Sequence, residues 1–441
     1  MAHRPTAVPS RPRAAGRSPP GGRVFTAAAA VLAVATIVGV ILLRPTGGER
    51  PDVSPLGVYE GVYEGTVQRV ELVPCMGALP TDELTCRRLV VRVDEGPDVG
   101  RSVEMELPAD APRIRSVDRG EEVLLGHQPE VEGFEYVFLE PLRRTPLLAL
   151  ALLFAIAVVL LGRLRGLTAL IGLAATLAML ALFVLPAILD GRSPLLVALV
   201  GASAISFLAL YLSHGFHPKT TVAVLGTLGG LACTAALAAI FMSLASITGF
   251  TSEEAFVLQA LGAEIEIRGL ILGGVVIGAL GAIDDMTVTQ ASAVWELRSA
   301  NPRFTRRLLV RSGMRIGRDH VASTVNTLVL AYAGASMPLL ILFVLSRQSV
   351  GVVLNSEILA TEVVRTLVGS IGLVASVPIT TLLAARAATA GPARRKVEPP
   401  GPDGVVAPPD PARVEEETPI PHPVPERRRQ LWRGWLTSRR R

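Results

Sequence analysis

The sequence predicts a mainly α-helical, polytopic membrane protein with about eight transmembrane helices and one small extracytoplasmic β domain. Three observations lead to this fold class. Half of the 441 residues are hydrophobic and only 18% are charged. Gly, Ala, Leu and Val dominate while aromatic residues make up 5%, as is typical of membrane helices that pack through small residues. Apolar runs of bilayer length recur along the chain, and one long polar interval separates the first run from the others.

Both ends of the chain have the composition of disordered tails. Residues 1–23 are rich in Pro, Gly and Arg and contain no acidic residue, and residues 387–441 are rich in Pro, Glu and Arg. Between the first tail and the polar interval, an apolar run predicts a transmembrane anchor over residues 24–44. A signal peptide is the competing interpretation, but the run is long and no small-x-small cleavage site follows it. An uncleaved anchor is therefore predicted.

Residues 45–144 predict the β domain. Short β-prone runs alternate there with turn signals such as Glu95-Gly96-Pro97. The runs are Gly65–Val73, Leu89–Val93, Ser102–Leu107, Glu121–Leu125 and Tyr136–Leu139. Strands at this spacing predict a small antiparallel barrel or sandwich, OB-like in form. Cys75 and Cys86 predict a disulfide if the domain faces an oxidising space, and two free thiols are the alternative.

A seven-helix membrane domain is predicted over residues 145–386. Its spans are 146–162, 167–188, 194–212, 220–243, 269–290, 320–346 and 362–385. Connections on the predicted cytoplasmic side contain ten Lys or Arg residues, whereas those on the outer side contain only Arg192, Arg268 and Arg347. This asymmetry predicts a cell-membrane protein whose N- and C-termini are both cytoplasmic. The β domain then lies outside the membrane.

Two connections have a pattern of their own. In 244–268, Thr251 followed by Glu254 forms a capping-box pattern before an apolar run, which predicts a short helix at the outer rim. Residues 298–318 are basic and amphipathic, and we expect them to lie on the cytoplasmic leaflet and to bind anionic lipid headgroups.

The sequence places adjacent carboxylates, Asp284 and Asp285, inside a glycine-rich predicted span. A carboxylate at bilayer depth is costly, so it usually faces a protein interior or a water-filled path. Neighbouring helix positions point about 100° apart, so the two side chains face different surroundings. A helix break near Gly281 would expose carbonyl ligands as well. The alternative is structural, with Asp285 capping a short cytoplasmic helix that begins near Thr287.

Further polar residues are candidates for the same cavity. Thr287 and Gln290 follow the carboxylate pair, and Asp319 and Asn326 lie on the seventh span. If the three aspartates converge, they could hold a cation or relay a proton. His214 and His217 are weaker candidates on a short inner loop, and Glu362 with Arg365 predicts an i, i+3 ion pair. Which metal, if any, these groups bind is not determined by the sequence.

Two segments carry a family resemblance: GAIDDMTVTQASAVWEL and MRIGRDHVASTVNTLVLAYAGASMPLL. They resemble the signature regions of the YibE/F family of multi-span membrane proteins, in its actinobacterial form, and the similarity is predicted to extend from Tyr59 to Ala385. The resemblance implies a polytopic membrane protein and brings no established substrate. The matching residues are Gly281, Asp284, Asp285, Gln290, Glu296, Gly317, Arg318, Asp319, Thr324, Asn326, Thr327 and Tyr332.

Three functions are compatible with this sequence. The first is a permease for an unidentified solute or ion, coupled to cations or protons through the intramembrane carboxylates. The second is a non-transporting scaffold or sensor that binds a protein partner through the β domain. The third, an intramembrane aspartic protease, needs facing carboxylates, and the YD and GxGD patterns of such proteases are missing. Without a nucleotide loop, zinc motif, nucleophile elbow or nucleic-acid-reading motif, we expect neither enzymatic activity, nor a cofactor, nor nucleic-acid binding.

Overall fold

A computed structural model describes residues 20–47, 59, 61–75, 85–114, 117–129, 135–250, 253–260, 265–346 and 348–390. Its strands are β1 Gly61–Pro74, β2 Thr85–Val93, β3 Ser102–Pro108, β4 Glu122–His127 and β5 Tyr136–Pro141. Its helices are α1 Pro20–Leu42, α2 Arg144–Gly162, α3 Leu164–Met179, α4 Leu185–Leu189, α5 Pro194–His214, α6 Pro218–Leu244, α7 Glu253–Ala260, α8 Ile267–Ala300, α9 Arg306–Ala335, α10 Met337–Leu345, α11 Val350–Leu354 and α12 Glu357–Thr389. Residues 1–19 and 391–441, which contain most of both predicted tails, lie outside the described part, as does the predicted cap Thr251.

Within the described residues, seven helical spans are long and apolar enough to cross a membrane, and an eighth is obtained if one bent pair is counted as a single span. A π-helical turn, Leu180–Val184, joins α3 to α4 within the span Leu164–Leu189. These helices correspond to the eight predicted spans and support a multi-pass membrane protein. The short helix α7 occupies the connection in which a rim helix was expected.

The seventh span differs from its predicted form. Instead of one straight helix over 320–346, α9 and α10 meet at Ser336 and are bent by 63°. Pro338, at the start of α10, explains the bend, because proline has no N–H to donate and its ring clashes with the preceding turn. The basic segment 298–318 is divided between two helices: residues 298–300 end α8, and those from Arg306 onwards form the first turns of α9.

The sequence left open whether the sixth span breaks near Gly281, and the structure has no break there. Helix α8 continues without interruption from Ile267 to Ala300, so Gly281 lies in regular helix. For the same reason Asp285 cannot cap a helix that begins at Thr287, and that alternative was wrong. The long apolar stretch before Asp284 and the helix-forming residues after it carry the helix through both carboxylates.

The β domain is a single curled antiparallel sheet with the strand order β3-β2-β1-β4-β5. Its edge strands β3 and β5 approach each other but are not paired by hydrogen bonds in the described residues, so the sheet is a half-barrel instead of a closed barrel or a two-layer sandwich. Alternate residues of the strands fill one apolar core, including Val67, Leu89, Val91, Val123 and Leu125. A disulfide joins Cys75 to Cys86, at the end where β1 pairs with β2.

The helical bundle has its core where α6, α8 and α12 pack against one another, with α5 alongside. Large buried side chains there include Leu231, Ile283, Met286 and Leu373. By contrast, α2 buries none of its residues and lies at the periphery. The face of α8 that carries Asp284 is therefore turned towards the most tightly packed part of the bundle.

Candidate functional site

The carboxylate of Asp284 lies at the junction of α5, α6 and α8. Ser206 of α5 donates a hydrogen bond from its hydroxyl to Asp284 Oδ1 over 3.0 Å. Thr227 of α6 also lies within hydrogen-bonding reach of this carboxylate. Thr287, one turn further along α8, contacts Thr227 at 2.7 Å between hydroxyl oxygens and donates to the carbonyl oxygen of Asp284 over 3.0 Å. We call Asp284, Ser206, Thr227 and Thr287 the Asp284 cluster.

The Asp284 cluster is buried and has no cationic partner. Ser206, Thr227 and Thr287 are 0% exposed, and the side chain of Asp284 is partly buried. Among the described residues, the carboxylate has hydrogen bonds from the hydroxyls of Ser206 and Thr227, and no Lys, Arg or His balances its charge. An ionised carboxylate in such a place is costly. The cluster therefore favours a bound proton or a bound cation.

Small residues bring the surrounding helices close enough to form this site. A Cβ placed on Gly372 of α12 would lie 1.8 Å from Thr234 Oγ1, and a Cβ on Gly230 of α6 would lie 3.0 Å from the Cβ of Ser376. One turn nearer the cluster, a Cβ on Gly226 would lie 2.1 Å from Thr380 Oγ1. These three contacts between α6 and α12 recur at an i, i+4, i+8 spacing on both antiparallel helices, as in small-xxx-small packing. Glycine at these positions is required by the close approach of α6 and α12.

Gln290 connects three helices below the cluster. Its side chain is 1% exposed, and its Nε2 donates to the carbonyl oxygen of Gly313 over 2.9 Å and to Thr381 Oγ1 over 2.7 Å. A Cβ on Gly317 would lie 2.9 Å from Gln290 Oε1, so α9 has glycine where the amide passes. Gln290 thus links α8 to α9 and α12. Its geometry is that of a structural clamp instead of a ligand that faces a cavity.

Asp285 faces a different surrounding from Asp284. Its side chain is exposed, as expected for the neighbouring position on a helix, and it lies within electrostatic range of His214 at the end of α5. A small cavity of about 10 Å³ lies beside His214, between α5, α6 and α8. The cavity is lined by His214, Lys219, Thr220, Ala223, Val288 and Ser292. Within the described part of the chain, Thr220 Oγ1 is buried without a hydrogen-bond partner.

Asp319 and Asn326 do not join the Asp284 cluster. Both are exposed on α9, and no group of three or more His, Cys, Asp or Glu residues within the described ranges is close enough to hold a metal ion. The condition for a shared cation or proton site, convergence of Asp284, Asp285 and Asp319, is therefore not met within the described residues. Helix α9 contacts α8 through the Gln290 clamp, which leaves the polar face of α9 turned outward. The predicted pair of Glu362 and Arg365 is confirmed, at 2.9 Å.

Sequence reasoning missed two members of the Asp284 cluster, Ser206 and Thr227. Each is a single hydroxyl in an otherwise apolar span, and such residues commonly bond to their own helix backbone. The available signal was their position near the middle of spans that also contain many small residues. Only the packing of α5 and α6 against α8 shows that both hydroxyls point at one carboxylate.

A comparison with protein families gives one match, to the family described as YibE/F-like protein, over residues 150–390. The matched range begins within α2, ends at the end of α12 and contains the whole Asp284 cluster. The β domain, which was expected to belong to the similarity from Tyr59, lies before it. No curated protein and no solved structure matches this chain.

Proposed function

The chain belongs to the YibE/F-like family, and from this premise we propose that its helical bundle is an integral membrane permease coupled to protons through Asp284. The transported solute or ion is unidentified. One observation carries the proposal: a partly buried carboxylate in the bundle core is hydrogen-bonded by the hydroxyls of Ser206 and Thr227 and has no compensating cation within the described residues. Intramembrane carboxylates of this kind are typical of ion and proton pathways.

The hydroxyl groups favour a proton over a metal ion as the coupling species. A hydroxyl can donate or accept, so Thr227 can donate to an ionised Asp284 and accept from a protonated one. Thr287 can adjust in turn, because it has both Thr227 and the carbonyl oxygen of Asp284 as partners. Ca²⁺ and Mg²⁺ take six or more oxygen ligands. The cluster contains a single carboxylate among its described residues.

A route for protons is available towards the His214 end of the bundle. Val288 and Ser292 lie one and two turns beyond Asp284 on α8 and line the small cavity near His214. Its volume of about 10 Å³ is close to the minimum that one water molecule requires. The buried hydroxyl of Thr220 offers that water a partner. We propose that the proton moves between Asp284 and this end of the bundle through this cavity.

The test is proton flux in proteoliposomes that contain the purified full-length protein and an internal pH-sensitive dye. Under a pH gradient, the wild type should show flux above protein-free vesicles, and Asp284→Asn should abolish that excess. Asp285→Asn is the matched control, since it removes the neighbouring exposed carboxylate and should retain most of the flux. Equal flux in wild type and Asp284→Asn would rule out Asp284 as the coupling site. Absence of wild-type flux under proton, Na⁺ and K⁺ gradients would rule out the permease function.

The orientation in the membrane is also a proposal. The excess of Lys and Arg at the His214 end supports cytoplasmic termini, with the β domain on the other side of the cell membrane. The disulfide supports this assignment, because disulfides persist in oxidising compartments. Single cysteines at residues 12 and 110, each in a background in which the native cysteines are serine, should react differently with an impermeant maleimide on intact cells. Only the one at residue 110 should be labelled.

A second function, docking of an acidic protein partner on the β domain, is favoured by a groove of about 1210 Å³ on the sheet. Arg69, Arg87, Arg92 and Arg119 are among its lining residues, and Glu104 and Asp118 partly offset their charge. Charge reversal by Arg69→Glu and Arg119→Glu should abolish partner capture and leave flux unchanged. Flux that falls together with capture would instead make the β domain part of the transport mechanism.

A further inference from the structure

The outward side of α9 has polar groups without partners. Asp319, Ser323 and Asn326 are exposed on this helix. Among the described residues, their side chains have no hydrogen-bond or ion-pair partner. Helix α9 is attached to the bundle along its other side, where it packs against α8 and α12. The outward side is therefore a helix face that the described chain leaves uncovered.

Asn326 lies at the depth of the hydrocarbon core. On one side of it along α9, the carbonyl oxygen of Gly313 accepts a hydrogen bond from Gln290 of α8. On the other side, a Cβ on Gly278 of α8 would lie 2.7 Å from the hydroxyl oxygen of Tyr332. Gly278 and Gln290 are each about 15 Å from an end of α8 at 1.5 Å per residue. Asn326 is thus level with the middle of a helix that is long enough to cross the membrane.

The exposed residues of α9 recur with the spacing of a contact between two helices. Arg315, Asp319, Ala322 and Asn326 follow one another at intervals of four, three and four residues, and all four are exposed. This alternation keeps one line of residues directed at a neighbouring helix over several turns. Ala322, in the middle of the line, is small enough for a close approach.

Lipid is a poor cover for this line of residues. Acyl chains neither donate nor accept hydrogen bonds, so the amide of Asn326 would lose its bonds to water without replacement. Between membrane helices, by contrast, Asn, Ser and Thr side chains hydrogen-bond across the contact. A protein surface with matching polar groups is the cover that this face requires.

A second copy of the same chain supplies the matching groups. Copies in one membrane share one orientation, so a two-fold axis between them runs along the membrane normal and places their α9 helices parallel. Near such an axis, each residue meets its own equivalent and the residues one turn away. The amide of Asn326 both donates and accepts, so two of these amides form a pair. Arg315 and Asp319 are opposite in charge and one turn apart, so Arg315 of one copy lies beside Asp319 of the other.

We propose that this chain forms a two-fold homodimer through the outward face of α9, with Asn326 paired across the axis. A single Asn among the contact residues of paired helices fixes their register and their number. Because the face is complementary to itself in both charge and hydrogen bonding, a second copy fits it without any further set of matching groups. The dimer does not depend on the permease activity, since the Asp284 cluster lies within each bundle.

Disulfide crosslinking of the full-length protein tests the interface. The chain has three cysteines, and Cys233→Ser removes the free one while the disulfide between Cys75 and Cys86 is retained. In that background, purified Ala322→Cys in liposomes should form a covalent dimer on oxidation with iodine. Ala151→Cys, an identical change at an exposed position of the peripheral helix α2, is the matched control. Equal crosslinking of the two variants would mean random collision and would overturn the interface.

Energy transfer between copies measures the contribution of Asn326. Full-length proteins with donor or acceptor fluorescent proteins fused to their C-termini are mixed in liposomes and diluted with lipid, and the loss of transfer gives the dissociation constant. Asn326→Leu should weaken the dimer about 5–30-fold, the factor expected when interhelical hydrogen bonds are lost. Asn355→Leu, which removes an exposed amide outside α9, should leave the dissociation constant unchanged. Equal dissociation of both variants would overturn the Asn326 pair.

A charge exchange separates contact between copies from contact within one helix. Asp319→Arg and Arg315→Asp each bring like charges together when a variant pairs with itself. A mixture of donor-labelled Asp319→Arg and acceptor-labelled Arg315→Asp restores opposite charges only between copies, and should show more transfer than either variant alone. Equal transfer in the three samples would contradict the pairing of Arg315 with Asp319. In cell membranes, crosslinking of Ala322→Cys to a different protein instead of to itself would overturn the second copy as the occupant.

Discussion

Carboxylates in the curled sheet have arginine partners, whereas Asp284 in the helical bundle has only hydroxyl partners among the described residues. In the sheet, Glu106 accepts two hydrogen bonds from the guanidinium of Arg88, the shorter at 2.6 Å, and Glu140 is 2.6 Å from Arg143. The hydrogen bond from Arg143 lowers the pKa of Glu140. In the bundle core, the carboxylate of Asp284 has two hydroxyl partners, Ser206 and Thr227, and no cation among the described residues. A carboxylate that is neither paired nor fully solvated adds nothing to stability, so its presence points to function.

The bundle is able to form ion pairs, which sharpens the comparison. Glu362 and Arg365 of α12 pair at 2.9 Å with side chains that are 23% and 30% exposed. The bundle therefore contains both kinds of carboxylate: Glu362 has a cationic partner, and Asp284 has none among the described residues. Changes that break each kind of contact should separate stability from activity.

The largest expected effect is confined to the sheet. Replacing Cys75 and Cys86 with serine removes the crosslink between β1 and its partner strand, and a disulfide of this loop size contributes about 2–4 kcal/mol to the free energy of unfolding. Hydrogen exchange of the full chain should become faster in β1 and β2 and remain unchanged in α6, α8 and α12. Faster exchange throughout the bundle would show that the two regions unfold together.

The next effect is confined to the bundle. Gly372→Ala places a Cβ within 1.8 Å of Thr234 Oγ1, and overpacking of this kind costs about 1–3 kcal/mol. Thermal unfolding in detergent micelles, followed by labelling of the free thiol of Cys233, should shift to lower temperature. Gly281→Ala is the matched control, because a Cβ there meets no atom within 4 Å. A shift of equal size in both variants would contradict the close-packing argument.

Asp284 and Glu362 should respond oppositely to neutralisation. Glu362→Gln keeps an acceptor for Arg365 but removes the negative charge of a partly exposed ion pair, which costs about 0.2–1 kcal/mol. Asp284→Asn removes an uncompensated charge and keeps an acceptor for Ser206, so its thermal midpoint should stay the same or rise. The same thiol-labelling assay measures both. A clear fall for Asp284→Asn would assign that carboxylate a structural role.

The smallest effect is a titration in the sheet. Burial, together with a hydrogen bond of 3.0 Å to Asp98, raises the pKa of Tyr136 to about 12. Because the folded pKa lies above the unfolded value of about 10, the folded sheet holds this proton more tightly. The contribution to stability is complete below pH 10 and is lost as the pH rises towards 12.

Phenolate absorbance of the full chain, with Tyr136→Phe subtracted, measures this titration. Asp98→Asn should move the midpoint down towards 10, since it removes the negative charge beside the phenol. An unchanged midpoint in that variant would leave burial as the sole cause.

Much of the architecture follows from local pattern. The apolar runs of bilayer length predicted the spans, and the alternating runs between Gly65 and Leu139 predicted the strands. Both signals are periodic and local, so they persist whatever the rest of the chain does. Local changes in helix geometry were harder to predict. The bend at Ser336 depends on where Pro338 falls within a helix, and the unbroken helix at Gly281 depends on the residues that pack around it.

By itself the sequence determined that this chain is a multi-span protein with a β domain after its first span, and that Asp284 is an unusual residue within a span. Tertiary structure alone decided which partners that residue has. Ser206 and Thr227 are separated from it by 78 and 57 positions in the chain, and three helices must pack through glycine before the hydroxyls meet the carboxylate. The same packing leaves Asp319 exposed on α9 and outside the Asp284 cluster. Periodicity fixes the face on which a side chain lies, whereas interhelical distance decides what that face touches.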